Sequence, residues 1–160
     1  MSTLKVDTYL TRGGASEIAI DKLKGVTAAG SMLVVAEGGT VTTNLQQGLT
    51  KHLCHWDGSG TPAVDDSFNN GSLTDNGTGD FTQNFTNNMA NKFYISNGHG
   101  YFDDGADTAA AQWTLKDNGG IANYKLTSSM RGEIVFQNTG ANRSNYDYPA
   151  NWSSLDGDLA

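Results

Sequence analysis

The chain is expected to be mainly β, a short-stranded β-sandwich or jelly-roll-like module with an extended N-terminal strand segment. Three observations lead there. The stretch Asp75-Asn76-Gly77-Thr78-Gly79 has the chemistry of a tight hairpin, because Asn-Gly accepts the positive φ that such turns need and Gly79 can supply a further left-handed residue. Downstream of it Phe81, Gln83 and Phe85 alternate with Thr82 and Asn84, the period of a half-buried strand. The composition agrees: of 160 residues only 17% are charged and 37% hydrophobic, with 20 glycines among many Asn, Ser and Thr. Short strands whose polar faces hydrogen-bond rather than carry charge suit such a chain.

In chain order, residues 1–48 read as an extended segment of short strands and residues 49–160 as the globular part. Leu4, Val6, Thr8 and Leu10 share one face of a first strand. Glu17 to Ile20 and Met32 to Ala36 follow, separated by glycine pairs and small residues, with a short helical start at Ile20 to Lys24 that Gly25 stops. Thin strands of this kind make a poor closed core and suit packing against further copies of the chain, the alternative being an ordinary sheet edge in a monomer. Leu45 to Trp56 reads as a linker with weak helical character, its leucines recurring at four. Phe68 to Thr74 reads as a weak strand interrupted by Asn70-Gly71 and leading into the turn. Lys92 to Ser96 is expected as a strand with Phe93 and Ile95 on one side and Tyr94 on the other. Gly98 to Asp107 reads as a loop, Ala109 to Leu115 as a helical turn or strand, and Gly132 to Gln137 as a good strand. From Asn138 onward the chain reads as an irregular tail, ordered where Tyr146, Tyr148 and Trp152 dock. On that reading a chain cut before Asn138 would still associate.

The central residues carry a resemblance. Trp56-Asp57-Gly58-Ser59-Gly60-Thr61, then Asp66-Ser67-Phe68-Asn69, Leu73 through Thr82 and Asn84-Phe85 resemble a module of tail-fibre and virion structural proteins of cyanophages and other marine bacteriophages. Met89 and Phe93-Tyr94 continue it, and Ser2 to Thr8 is similar to the opening of such fibre chains. Asp57, Asp65 and Asn70-Gly71 depart from the family's usual residues. The resemblance implies a virion location, a homotrimer with residues 1–48 as its attachment and trimerisation segment, other virion proteins as partners, and a role in attachment to the host surface. A capsid decoration or cement protein is the alternative. A polysaccharide-degrading spike fits less well, since 160 residues leave little room for a long β-helix.

The chemistry legible in the residues is that of binding rather than catalysis. A net charge of -7 and the lack of a basic patch argue against nucleic acid. No stretch is apolar enough for membrane insertion or a signal peptide, so folding in the host cytoplasm is expected. A single cysteine excludes an intrachain disulfide. His52, Cys54 and His55 offer metal-ligand types, but His55 points away from the other two if the segment is extended, and His99 is the sole further histidine. Cys54 has no base or glycine elbow beside it and reads as a small buried hydrophobe. Asp103 to Asp107 lacks the spacing of a calcium loop, and Asp57, Asp65, Asp66 and Asp80 form no recognisable acid pair. No cofactor, metal or catalytic residue is expected. Receptor contact, with a host glycan or protein, is assigned to aromatic side chains set among Asn, Asp and Gly: Tyr101, Phe102, Trp113, Tyr146, Tyr148 and Trp152. The competing role for each is to fill the core of a chain short of aliphatics.

Overall fold

The computed structural model describes residues 32–35, 39–103, 108–116, 124–137 and 143–160. The expected strands at Leu4 to Leu10 and Glu17 to Ile20, the helical start at Ile20 to Lys24, and residues 104–107 of the expected loop lie outside them. The described chain is mainly β. In order its elements are β1 (Leu33–Val35), β2 (Thr42–Asn44), α1 (Leu45–Gly48), β3 (His52–Asp57), β4 (Ala63–Phe68), β5 (Asn70–Gly77), β6 (Asp80–Phe85), β7 (Ile95–Asp103), β8 (Thr108–Leu115), β9 (Ser129–Gln137), β10 (Arg143–Asn145) and β11 (Ala150–Asp156). β1 and β2 form a small hairpin of their own, and the single turn of α1 follows it. The remaining strands make one antiparallel sheet in the order β4-β3-β11-β7-β8-β9-β6-β5, with β10 extending β9 on a side strand.

That order places the two strands consecutive in sequence, β4 and β5, at opposite ends of the sheet. They are one bent run of chain, with Asn69 as the corner at φ 58°. Asparagine tolerates this left-handed conformation better than most residues. Its side chain uses the position: Nδ2 donates to the carbonyl oxygens of Lys51 (3.0 Å) and Asn87 (3.1 Å), while Oδ1 accepts from the Asn87 amide at 2.7 Å. Lys51 precedes β3 and Asn87 follows β6, so one amide draws the two ends of the sheet together and leaves it nearly closed. The interruption expected at Asn70-Gly71 is therefore a corner one residue earlier, followed by a register shift between Asn70 and Ser72.

Alternation then sorts the side chains. His52, Cys54 and Trp56 of β3 turn inward, as do Phe81, Gln83 and Phe85 of β6 and Asn151, Ser153 and Leu155 of β11. Met89, Tyr94, Met130 and Ile134 complete the interior. Aromatic rings supply what aliphatics do not. Trp56 meets Trp113 edge-on at 5.4 Å and Phe81 at 5.8 Å, and Phe85 meets His52 at 5.1 Å and Tyr94 at 5.9 Å. Such contacts each stabilise by about 1 kcal/mol beyond the area they bury. The Trp113 indole fits because Gly98 and Gly132 face it; a Cβ on Gly98 would lie 2.8 Å from Trp113 Cβ, and one on Gly132 would strike the ring itself. Across the core the Ser153 hydroxyl donates to Gln83 Oε1 at 2.8 Å, tying β11 to β6.

Several expectations are corrected. Leu45 to Trp56 is a helical turn followed by strand β3, because the apolar periodicity of two from His52 overrides the fourfold spacing of leucines. The expected loop from Gly98 is the body of β7, whose glycines serve packing rather than turning. Lys92 to Tyr94 precedes that strand, although Tyr94 is buried and Phe93 and Ile95 are exposed. Ala109 to Leu115 is strand. The largest correction concerns the C-terminus. It is no irregular tail, since β11 sits between β3 and β7 and pairs along its length with both. A chain cut before Asn138 would lose a central strand and the buried Asn151, Ser153 and Leu155, so it would not retain this sheet.

Candidate functional site

The outward face of β4, β3, β11, β7 and β8 carries a row of side chains one strand apart. Register puts Asp66 opposite His55, His55 opposite Trp152, Trp152 opposite His99, and His99 opposite Gln112. Strand alternation produces this outward row from the same elements that send Cys54, Trp56, Asn151 and Ser153 into the core. Directly opposed residues on one face lie close enough to touch. Trp152 remains 39% exposed at the middle of the row, with its ring centroid 5.9 Å from that of His99. On the other side Asp65 is the extra residue of a bulge opposite His55 and Trp56. Bulges re-aim a side chain, and here the Asp65 carboxylate reaches His55 Nδ1 at 3.0 Å. This contact orients the imidazole beside the indole. The next row runs Phe68, Leu53, Ser154 and Asn97, with Phe68 56% and Leu53 38% exposed.

The six aromatic candidates divide between this surface and the interior. Trp152 belongs to the row. Tyr101 lies half-buried on β7 opposite Ala150, and Tyr146 is exposed and packs against Phe136 and Tyr148. Trp113 and Tyr148 are core residues, only 6% and 5% exposed, and cannot contact a receptor. Trp113 stands at an inward position of β8 and Tyr148 in the segment between β10 and β11, placements that local sequence does not reveal. Phe102 pairs with Ala109 between β7 and β8; its side chain lies outside the described residues. His55, His99 and Gln112 were missed as members of a site. Their only sequence signal is the alternation on each strand, which cannot say which strands become neighbours.

The turn Asp75-Asn76-Gly77-Thr78-Gly79 joins β5 to β6 at Thr78 and Gly79. Gly77 has φ 129° and Gly79 φ 64°. Asp75 accepts the Gly77 amide at 2.8 Å, and the Asn76 amide donates to the Thr82 hydroxyl at 2.9 Å. The turn is tied to the body where the Gly79 amide donates to Asp147 Oδ1 at 2.6 Å.

The remaining titratable groups are engaged in structure. His52 and Cys54 face the core while His55 faces outward, so these three cannot close on one ion. Among the described residues no group of three or more His, Cys, Asp or Glu is arranged to hold a metal. Burial, with a smaller contribution from the Asp65 charge, pushes the Cys54 thiol up to about 12 and away from nucleophilic chemistry. Asp80 is buried on β6, where Arg131 grips it through Nε (2.8 Å) and Nη2 (2.7 Å) and Lys116 also contacts it. Burial alone would raise the Asp80 carboxyl; the hydrogen bonds and charges of Arg131 and Lys116 outweigh it and hold the group below its ordinary value. Asp57 is likewise lowered, by hydrogen bonds from the Ser59 hydroxyl and amide.

No family model matches this chain, and no curated protein or solved structure matches it.

Proposed function

We propose that this is a bacteriophage virion protein, a tail fibre or fibre-like component that attaches the particle to its host. The observation that carries the adhesive part is the exposed His55-Trp152-His99 row. It holds a large aromatic surface at the solvent boundary of a sheet that otherwise directs its tryptophans inward. The virion part rests on the residues around the Asp75–Asp80 turn and the Ser2–Thr8 opening that resemble phage fibre chains. On this reading the nearly closed sheet is a flattened, sandwich-like body and the chain works as a homotrimer, built through its N-terminal segment. The exposed Leu33, Val34, Val35 and Val41 of that segment are apolar surface for a neighbouring copy to cover.

A capsid decoration role is the second reading, and the same exposed apolar hairpin favours it, since a shell surface could cover those residues as well as another copy. Antibody against this chain, imaged on intact particles by negative stain, separates the two. Label at the tail supports the fibre; label spread over the shell establishes decoration instead. Native mass spectrometry at micromolar concentration is expected to show a trimer, and a folded monomer there would remove the oligomeric part.

A further inference from the structure

We infer that the outward row of β4, β3, β11, β7 and β8 binds a neutral saccharide, with Trp152 as the platform beneath a sugar ring. The inference rests on the attachment reading above and gives its ligand a chemical class. Strands are about 4.8 Å apart, so the five residues from Asp66 to Gln112 span roughly 19 Å, enough for several sugar units in line. The centre of that line is apolar and flat. Sugar rings present a C–H face to such a surface and hydroxyls around their edge, and the groups flanking Trp152 match the edge. His55 and His99 each offer ring nitrogens, Asp66 a carboxylate, and Gln112 both a donor and an acceptor.

Charge selects the class of saccharide. β3, β4, β7 and β11 together contain Asp57, Asp65, Asp66, Asp103 and Asp156 and not one Lys or Arg. Uronic or sulfated polysaccharides, like nucleic acid, would meet like charge there with no lysine or arginine on those strands to neutralise it. The same acids oppose a second copy docking through this face, because two such surfaces would repel. A neutral polymer meets neither obstacle. The Asp65–His55 contact supports preorganisation, since it holds one flanking imidazole in place before any ligand arrives.

The test uses intrinsic fluorescence of the full chain. Trp56 and Trp113 are buried, so a ligand-induced blue shift reports Trp152. Dextran, mannan and laminarin serve as neutral probes and alginate as the acidic one. At least one neutral polymer is expected to give a saturable shift, with alginate giving none. Trp152→Ala should abolish retention of that polymer in affinity electrophoresis while far-UV dichroism stays unchanged. Should that variant lose its fold, the double variant His55→Ala/His99→Ala replaces it, with at least a tenfold loss of affinity expected. No response to any neutral probe, equal binding of alginate, or retention that survives these substitutions overturns the proposal. So does a change in oligomeric state on Trp152→Ala, which would make this face a contact between copies. Particle labelling stands apart from these measurements: shell label would remove the fibre reading and leave saccharide binding to be judged on its own.

Discussion

On the outer surface of β8, β9 and β6 the charges answer one another, whereas the outer surface of β4, β3, β11 and β7 has acids, histidines and aromatics without a lysine or arginine. In the first region Asp80 is gripped by Arg131 and contacted by Lys116, Lys116 also pairs with Glu133 at 2.9 Å, and Arg131 lies over the Tyr124 ring. Charge is balanced and hydrogen-bonding capacity is used within the chain. In the second, Trp152, Leu53 and Phe68 stay at the surface among aspartates. One sheet thus shows what a face looks like when its groups stabilise the fold and when they are left for something else. The difference teaches that composition is not what marks a site here, since Asp, Thr and Asn occur on both. What marks it is whether the neighbouring strands bring a lysine or arginine to the acids.

The largest expected effect lies at the seam that joins the two regions. His52 is buried on β3, stacked edge-on to Phe85, with Nε2 3.4 Å from Asn70 Oδ1. Burial lowers its pKa from 6.5 to about 4 despite the Asn70 contact. Between those values the unfolded chain binds a proton that the folded chain excludes, so stability is full above pH 6.5 and falls as pH is lowered toward 4. The loss amounts to about 3 kcal/mol for a shift of this size. Denaturant midpoints measured across that window check it, and His52→Gln should flatten the dependence. An unchanged slope in the variant would mean that another group titrates.

Within the paired region Asp80→Ala leaves Arg131 and Lys116 without their shared carboxylate. Removing one member of a buried ion pair typically costs 3–5 kcal/mol; with both cations partly open to solvent, about 2–3 kcal/mol is expected. Trp152→Ala on the other face removes a partly exposed side chain and no buried charge, and should cost less, about 1–2 kcal/mol. Urea unfolding of the two variants side by side tests the comparison directly. Equal losses would dissolve it, because both faces would then serve stability alike.

The smallest effect concerns the turn at the edge of the paired region. A Cβ on Gly77 would meet nothing within 4 Å, so Gly77→Val should lose only the backbone strain of φ 129°, about 1 kcal/mol. At Gly79 a Cβ would approach the Tyr146 amide nitrogen to 2.7 Å and the Ile134 carbonyl to 2.9 Å, so Gly79→Ala should melt at a lower temperature than Gly77→Ala. The reverse order would place the tight contact elsewhere in the turn.

Local pattern alone determined a good deal of this protein: the β class, the turn at Asp75 to Gly79, the inward set Phe81, Gln83 and Phe85, and the opposite facing of His52 and His55. Each depends on a few consecutive residues, where the pleat's period of two and the φ of Asn-Gly act without help from distant chain. Tertiary structure alone decided that the interruption expected at Asn70-Gly71 is a corner at Asn69, because the Asn69 side-chain amide needs both Lys51 and Asn87 nearby. It also decided that the Asn- and Ser-rich C-terminus is a central strand. In the core Ser153 donates its hydroxyl to Gln83, and the Asn151 side-chain Nδ2 donates to the carbonyls of Tyr148 and Trp56. By the same logic Trp113 and Trp152, equivalent as residues, part company. One meets two glycines and a tryptophan inside the sheet; the other lies between two histidines outside it. Strand order, which depends on contacts between residues far apart in the chain, makes that choice.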